Sequence, residues 1–322
     1  MQNHPTHRPS PSTPAPMIQI HALHVPTTFS DASAYQAHRQ LLLDYDPIAV
    51  QEIQSFRSID DSKRKSEIAD VSPTFFARAL VAHSFPHGVP KTGALISRLL
   101  PRYILSLRGL NWRQVRFEKG DYGRPFAFHP NLPKGFQYSI SHDADWVICA
   151  SILAEKEKLP LVKNVGVDVM RLSIPWDDVD PEGMLDMMRD QLSPFELRSI
   201  QAHPRTELET LFSYWVLKEA YIKARSLGLR GFPELNRVEF HIGENGKEVD
   251  QGGGWKKVEG VLDGEDLEGW WFGLKKFDEG RYLVAVALEV EGETDVGVPD
   301  WEVEILGREV VLEKLESRRD SV

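Results

Sequence analysis

Two carboxylates stand where side chains of this kind are costly. Across Thr206 to Arg225 the apolar residues Leu208, Leu211, Phe212, Trp215, Ala220 and Ile222 recur at helical spacing, and Glu219 falls on the same face. A carboxylate among core positions costs on the order of several kcal/mol unless a cation or a metal accompanies it. Lys223, one turn further on, supplies such a cation; the plainer reading is an i,i+4 pair on a wet helix, worth roughly 0.3 kcal/mol. Val165, Val167 and Val169 alternate with Gly166, Asp168 and Met170, a strand pattern that sets Asp168 opposite the valines. Asp is depleted in strands, so Asp168 either caps a neighbouring backbone or serves a site. Two carboxylates from separate elements, with few other donors, suit an octahedral Mg²⁺ that keeps waters and takes its remaining ligands from a substrate phosphate; they do not suit zinc.

The remaining candidates concern anions. His142 closes an alternating run and enters a turn, where a surface histidine and a phosphate contact are both open readings. His83 and His87 have helical metal spacing, but Pro86 between them favours loop histidines. Neither a G-x-x-x-x-G-K-[ST] loop nor a G-x-G-x-x-G turn occurs, so a phosphate must be held by scattered Arg, Lys and His. The charge distribution offers a place. The chain has 48 acidic and 38 basic residues, but residues 243–322 hold 21 acids against 10 bases. Residues 91–124 hold eight bases (Lys91, Arg98, Arg102, Arg108, Arg113, Arg116, Lys119, Arg124) against two acids, a local +6 that attracts anions. Aromatic residues are not interleaved there as nucleic-acid binding requires, and no recognition motif appears.

Several elements must position these groups. Met17 to Val25 alternates as a strand; Asp46 to Lys65 and Leu95 to Leu107 read as helices, the second strongly basic with Pro101 marking a kink or break. Ser66 to Gly93, rich in Pro and Gly, reads as an insertion or long loop. Phe136 to His142 and the run from Trp146 form a strand pair, Met184 to His203 and Thr206 to Leu227 are helices, and strands return at Trp255–Leu262, Gly269–Lys275 and Arg281–Val290. Strand, helices and strands thus recur in both halves, which predicts an α+β protein of two similar lobes, 17–160 and 161–290, after a disordered Pro-rich leader (1–16) and before an acidic tail (291–322). Within the tail, 303–315 reads as a short surface helix. The single cysteine, Cys149, lies in an apolar run and excludes a disulfide framework; no apolar stretch approaches the ~20 residues that span a bilayer, so a soluble, cytoplasmic protein is expected.

Trp215-Val-Leu-Lys-Glu-Ala-Tyr-Ile-Lys223, Gly166-Val-Asp-Val-Met170 and Ser139-Ile-Ser-His142, with Tyr122-Gly-Arg-Pro125 ahead of them and Tyr282 to Leu288 behind, resemble the 4′-phosphopantetheinyl transferases. The likeness is to the two-lobed monomeric type that includes the α-aminoadipate-reductase-activating enzymes, and it covers roughly residues 17–65 and 95–290. It implies a pseudo-dimeric fold. The activity it implies moves the phosphopantetheine arm of coenzyme A onto a serine of an apo carrier protein, with Mg²⁺, releasing adenosine 3′,5′-bisphosphate. By this resemblance Asp168 and Glu219 are metal ligands, Glu219 is also the base for the serine, and Lys223 neutralises the pyrophosphate. His142 contacts a phosphate, with Ser139 and Ser141 on the same strand end. Arg124 stands where the family has a coenzyme A-binding lysine. Arg64 resembles the arginine of the 3′-phosphate, a role for which Arg98 and Lys63 are the alternatives, and Lys119 stands with Arg98 and Arg124 in the basic segment 91–124. Met170 departs from an acid that many relatives carry, and its thioether is too soft for Mg²⁺. The rival reading is a non-catalytic protein that binds coenzyme A or a nucleotide.

Overall fold

The structure is a computed structural model that describes residues 18–25, 39–40, 46, 90–120, 125–132, 136–152, 162–174, 176–177, 179–226, 235–243, 254–291 and 303–316. The leader, Arg64, Arg124, the helix expected over 46–65 apart from Asp46, and 66–89 lie outside the described residues, as does the side chain of Lys119.

Two sheets form the frame. The first contains β1 (Ile18–His24), β4 (Gln137–Asp143) and β5 (Trp146–Ile152), in the order β1-β5-β4 with antiparallel neighbours. The second contains β6 (Val162–Arg171), β7 (Val238–His241), β8 (Lys256–Leu262), β10 (Trp270–Phe277) and β11 (Tyr282–Val290), ordered β6-β11-β10-β8-β7. The short β9 (Glu265–Asp266) pairs with β8. The first strand of each sheet neighbours the second arm of a later hairpin, β1-β5-β4 repeating as β6-β11-β10, with one long helix placed before each hairpin. These are the two similar α+β lobes that the recurrence in the sequence predicts.

The helices are α1 (Pro90–Leu107) in the first lobe and α4 (Glu207–Arg225) in the second, the latter preceded by α2 (Pro181–Met188) and α3 (Pro194–Ala202). Leu95, Ile96, Leu99, Leu100, Tyr103 and Ile104 of α1 lie against Leu23, Tyr138, Val147 and Cys149. On the far side of that sheet, Ile18, Ile20, Ile148 and Ala150 meet Val165, Val167, Val169, Val284 and Val286 of the second sheet. The opposite face of the second sheet carries α4, through Phe212, Trp215, Val216 and Ala220. The layers therefore run helix, sheet, sheet, helix.

Three expectations change. Pro101 does not break the helix: α1 runs from Pro90 to Leu107, because the continuous burial of its apolar face offsets the ~3 kcal/mol cost of an internal proline. It starts inside the segment read as an insertion, with Pro90 at a first-turn position where its missing N–H costs nothing. The segment read as a surface helix over 303–315 is instead a strand and a helix, β12 (Val303–Leu306) and α5 (Arg308–Glu316). β12 pairs in parallel with β1, and Val311 and Leu315 are buried in the α1 cluster. The sequence also gave no sign of the hairpin β2 (Arg116–Lys119) and β3 (Pro125–Phe128).

Candidate active site

The candidate residues meet where the edge of one sheet lies beside the edge of the other. β4 and β6 are edge strands on the paths of their sheets, and their contact is made by side chains. Alternate residues of β4 reach across in turn. Gln137 Nε2 donates to the Lys163 carbonyl, Ser139 Oγ accepts from Val167 N at 3.0 Å, Ser141 Oγ donates to Asp168 Oδ1 at 2.6 Å, and Asp143 Oδ2 accepts from Arg171 N at 2.7 Å. This explains the polar alternation of β4, which in sequence looks like a solvent face. Tyr138, Ile140 and His142 alternate with that set, and Tyr138 and Ile140 join the α1 cluster.

From the other side comes α4. Gly166 sits under it so closely that a Cβ there would lie 1.9 Å from the Ala220 carbonyl oxygen and 2.6 Å from Ala224 N. Glycine inside a strand often marks such an approach of backbones. The approach brings Lys223 Nζ to 2.6 Å from Asp168 Oδ1 and 2.8 Å from Ser141 Oγ, so one carboxylate oxygen receives both an ammonium and a hydroxyl proton. Asp168 is buried, whereas the Lys223 side chain keeps 28% of its surface exposed.

Glu219 is also buried, and its Oε1 has no hydrogen-bond partner among the described residues. Burial first, then repulsion from Asp168, raises its pKa to about 8, against the opposing pull of Lys223. A carboxyl that titrates near neutrality, beside a second carboxylate and a cation, is equipped to exchange a proton. The same burial, reinforced by the Lys223 charge, lowers the His142 pKa to about 4, so its ring is neutral at pH 7 and donates or accepts as an uncharged imidazole.

The structure thus brings together Asp168, Glu219, Lys223 and Ser141, with His142 within electrostatic reach of Lys223. Ser139 lies on the same face of β4 and is engaged with the β6 backbone. Arg98 is half-buried on α1, where its carbonyl accepts from Arg102 Nη1. The basic segment is less available to phosphates than its composition suggests. Arg102 is buried, pairs with Asp46 at 2.6 Å and stacks over Phe117, while Arg113 reaches the Leu315 carbonyl. Two residues with no signal in the sequence also shape the site: Gly166, through its packing, and Lys218, which is buried on α4 beside Glu219.

The resemblance stated above implies a metal, and the donor set is consistent with one. No group of three or more His, Cys, Asp or Glu forms a metal cluster among the described residues. Two buried carboxylates whose charges repel, one with an unpartnered oxygen, nevertheless suit a hard cation that takes its other ligands from water and phosphate. Met170 packs against the core of the second lobe and offers no oxygen.

Comparison with known proteins selects the same region. Residues 164–287 match the family model of the 4′-phosphopantetheinyl transferase superfamily, and residues 88–154 match that of the 4′-phosphopantetheinyl transferase N-terminal region. An L-aminoadipate-semialdehyde dehydrogenase-phosphopantetheinyl transferase of Mus musculus is 32% identical over 200 residues, 61% of this chain and 60% of that protein. The protein of the same name in Homo sapiens is 29% identical over 211 residues, 64% of each chain. The 4′-phosphopantetheinyl transferase pptA of Paxillus involutus is 30% identical over 215 residues, 64% of this chain and 74% of that protein. The chain spans about 60% of the length of the first of these relatives. Asp168, Glu219 and Lys223 all fall inside the matched region, and the chain belongs to the 4′-phosphopantetheinyl transferase superfamily.

Proposed function

We propose that this chain transfers the 4′-phosphopantetheine group of coenzyme A to a serine of an apo carrier protein. The observation that carries the reading is the cluster in which Lys223 and Ser141 share Asp168 Oδ1 while Glu219 lies buried beside them, its Oε1 without a hydrogen-bond partner among the described residues. Phosphoryl transfer asks a protein mainly for positioning and for charge to balance the leaving group, and it asks the hydroxyl nucleophile for a base.

In this reading Lys223, the partly exposed cation of the cluster, binds the pyrophosphate of coenzyme A and balances its charge as the bond breaks. Glu219 takes the proton of the carrier serine, directly or through a water. The serine oxygen bonds to the phosphorus that bears the pantetheine arm, the bond from that phosphorus to the bridging oxygen breaks, and adenosine 3′,5′-bisphosphate leaves. Asp168 and Glu219 would hold a Mg²⁺, which when bound adds positive charge beside the phosphate oxygens and draws Glu219 toward its ionised form. His142, neutral at pH 7, hydrogen-bonds a phosphate oxygen, with Ser139 and Ser141 keeping its strand in register. Arg64, Arg98, Lys119 and Arg124 are proposed to hold the rest of coenzyme A.

Both lobes lie in one chain, which supports a monomer, with 17–160 and 161–290 as the main parts of its two units and 303–316 completing the first. No helix of the described residues is long and apolar enough to cross a membrane. The relatives named for L-aminoadipate-semialdehyde dehydrogenase make the carrier domain of such an enzyme the first substrate to try. The test is incubation with coenzyme A, Mg²⁺ and a panel of apo carrier proteins, read by intact mass. A gain of one phosphopantetheine is expected; no gain on any carrier would sink the proposal.

A further inference from the structure

We propose that Lys218 is a positioning residue for this reaction: anchored to three acceptors on other elements, it sets the rotation of α4 and so the direction in which Glu219 points. The proposal rests on the transferase reading above for the role of Glu219, but its geometry is independent of it. Lys218 is fully buried, and its Nζ donates to Glu196 Oε2 at 2.8 Å, to the Leu235 carbonyl at 2.9 Å and to the Val238 carbonyl. An ammonium has three protons, and these acceptors use all of them.

Glu196 is fixed in turn. Its Oε2 accepts from Ser193 N at 2.8 Å and its Oε1 from Phe240 N at 3.1 Å, while Ser193 caps the start of α3. One charge pair therefore ties α4 to the first turn of α3, to the 3-10 turn at Leu235–Arg237 and to β7. Methionine would fill the same volume without desolvating a charge. What an apolar side chain lacks is direction. A helix held by apolar contacts alone can turn about its axis and repack, whereas three hydrogen bonds from one atom resist that turn. Glu219 is the adjoining residue, roughly 100° around the helix. Gly166 fixes how near α4 comes to β6, and Lys218 fixes which way its side chains face when it arrives.

The test compares wild type, Lys218→Met, Glu196→Gln and the double variant for thermal stability, for kcat and KM for coenzyme A, and by crystallography. Lys218→Met leaves a buried unpaired carboxylate and should lose stability as well as activity, so it cannot decide the matter alone. The double variant removes both charges and should recover most of the stability. It should nonetheless keep kcat lowered by about tenfold or more, with KM for coenzyme A within about twofold, and its crystal structure should show the Glu219 carboxylate displaced from Asp168. Glu196→Gln keeps an amide oxygen for Lys218 and Ser193 N but turns its NH2 toward the Phe240 N–H, two donors facing, so stability should fall; because Lys218 keeps its three acceptors, kcat should stay within about twofold of wild type. Recovery of kcat together with stability in the double variant, a large loss of kcat in Glu196→Gln, or a Glu219 carboxylate that keeps its place would each overturn the proposal. If the wild-type chain transfers nothing to any carrier, the transferase reading fails, and the crystallographic comparison still decides whether Lys218 directs Glu219.

Discussion

Replacing Gly166 with alanine puts the closest contact in the site under direct test. The added methyl would stand 1.9 Å from the Ala220 carbonyl oxygen, 2.6 Å from Ala224 N and 3.0 Å from the Ala220 carbonyl carbon, all backbone atoms of α4. Because no flexible side chain can step aside, the helix must retreat by about 1 Å to bring even the shortest contact to 3.0 Å. If Lys223 moves with it, its 2.6 Å contact with Asp168 opens to about 3.6 Å, past hydrogen-bonding range. Forced overpacking of this kind costs about 1–3 kcal/mol, which lowers Tm by roughly 2–10 °C in a chain of this size. A misplacement of about 1 Å at a phosphoryl-transfer site costs on the order of a hundredfold in rate. Gly166→Ala is therefore expected to lose far more activity than stability, measured by carrier-protein mass shift against time beside thermal melting. Gly307→Ala, whose added methyl meets only ordinary contacts at 3.6 Å and beyond, is the control for activity: at the start of α5 it should cost at most about 1 kcal/mol of stability and leave turnover unchanged. A Gly166→Ala protein with wild-type melting and wild-type turnover would refute the close-approach argument.

Three further outcomes follow from the same geometry. Glu219→Gln should lower turnover by about 10²–10⁴-fold while the fold persists. With chelator present it should also change stability against pH. A carboxyl at about 8 in the folded chain and near 4.5 in the unfolded one favours the folded state below pH 4.5, and that contribution is lost as pH rises through 8. The variant's melting curves should therefore fall less than the wild type's between those values, and identical slopes would show that Glu219 is not desolvated as described. Asp168→Asn removes the carboxylate shared by Lys223 and Ser141, so its activity should need much more Mg²⁺ than wild type does; an unchanged metal titration would exclude Asp168 as a ligand. Leu315→Ala, at a fully buried position of α5, should cost about 2–5 kcal/mol by denaturant unfolding, and a loss under about 0.5 kcal/mol would mean that α5 contributes no packing.

What the sequence made legible was whatever leaves a period. Alternation located β1, β4 and β6 closely, apolar runs bounded by turn residues located β5 and β11, and the apolar stripe of Thr206 to Arg225 located α4. Asp168 and Glu219 were legible because each breaks the pattern around it, a charge where an apolar or strand-forming residue belongs. The partners of polar faces left no such trace. Gln137, Ser139, Ser141 and Asp143 look wet in one dimension, and only the second sheet's edge shows why they are polar. Lys218 left no local trace because its acceptors lie 17 to 22 residues away in either direction. β12 was hidden for a related reason. Val303 and Ile305 alternate with Glu302 and Glu304, but the surrounding acids read as a tail, and nothing local reveals that β1 lies ready to pair with it.

That pairing makes the first lobe discontinuous along the chain. Its sheet is closed at the β1 edge by residues 303–306, and its helix α1 and Trp112 are covered by α5, whose Leu315 carbonyl accepts from the Trp112 indole at 3.2 Å. On a ribosome, residues 18–152 emerge long before the segment that completes them, so the early lobe waits with an open strand edge and an uncovered tryptophan while the whole second lobe is made. Order of synthesis and order of completion are thus inverted. A fragment cut between the lobes would leave the first half without its last strand and the second half carrying a strand that has nothing to join.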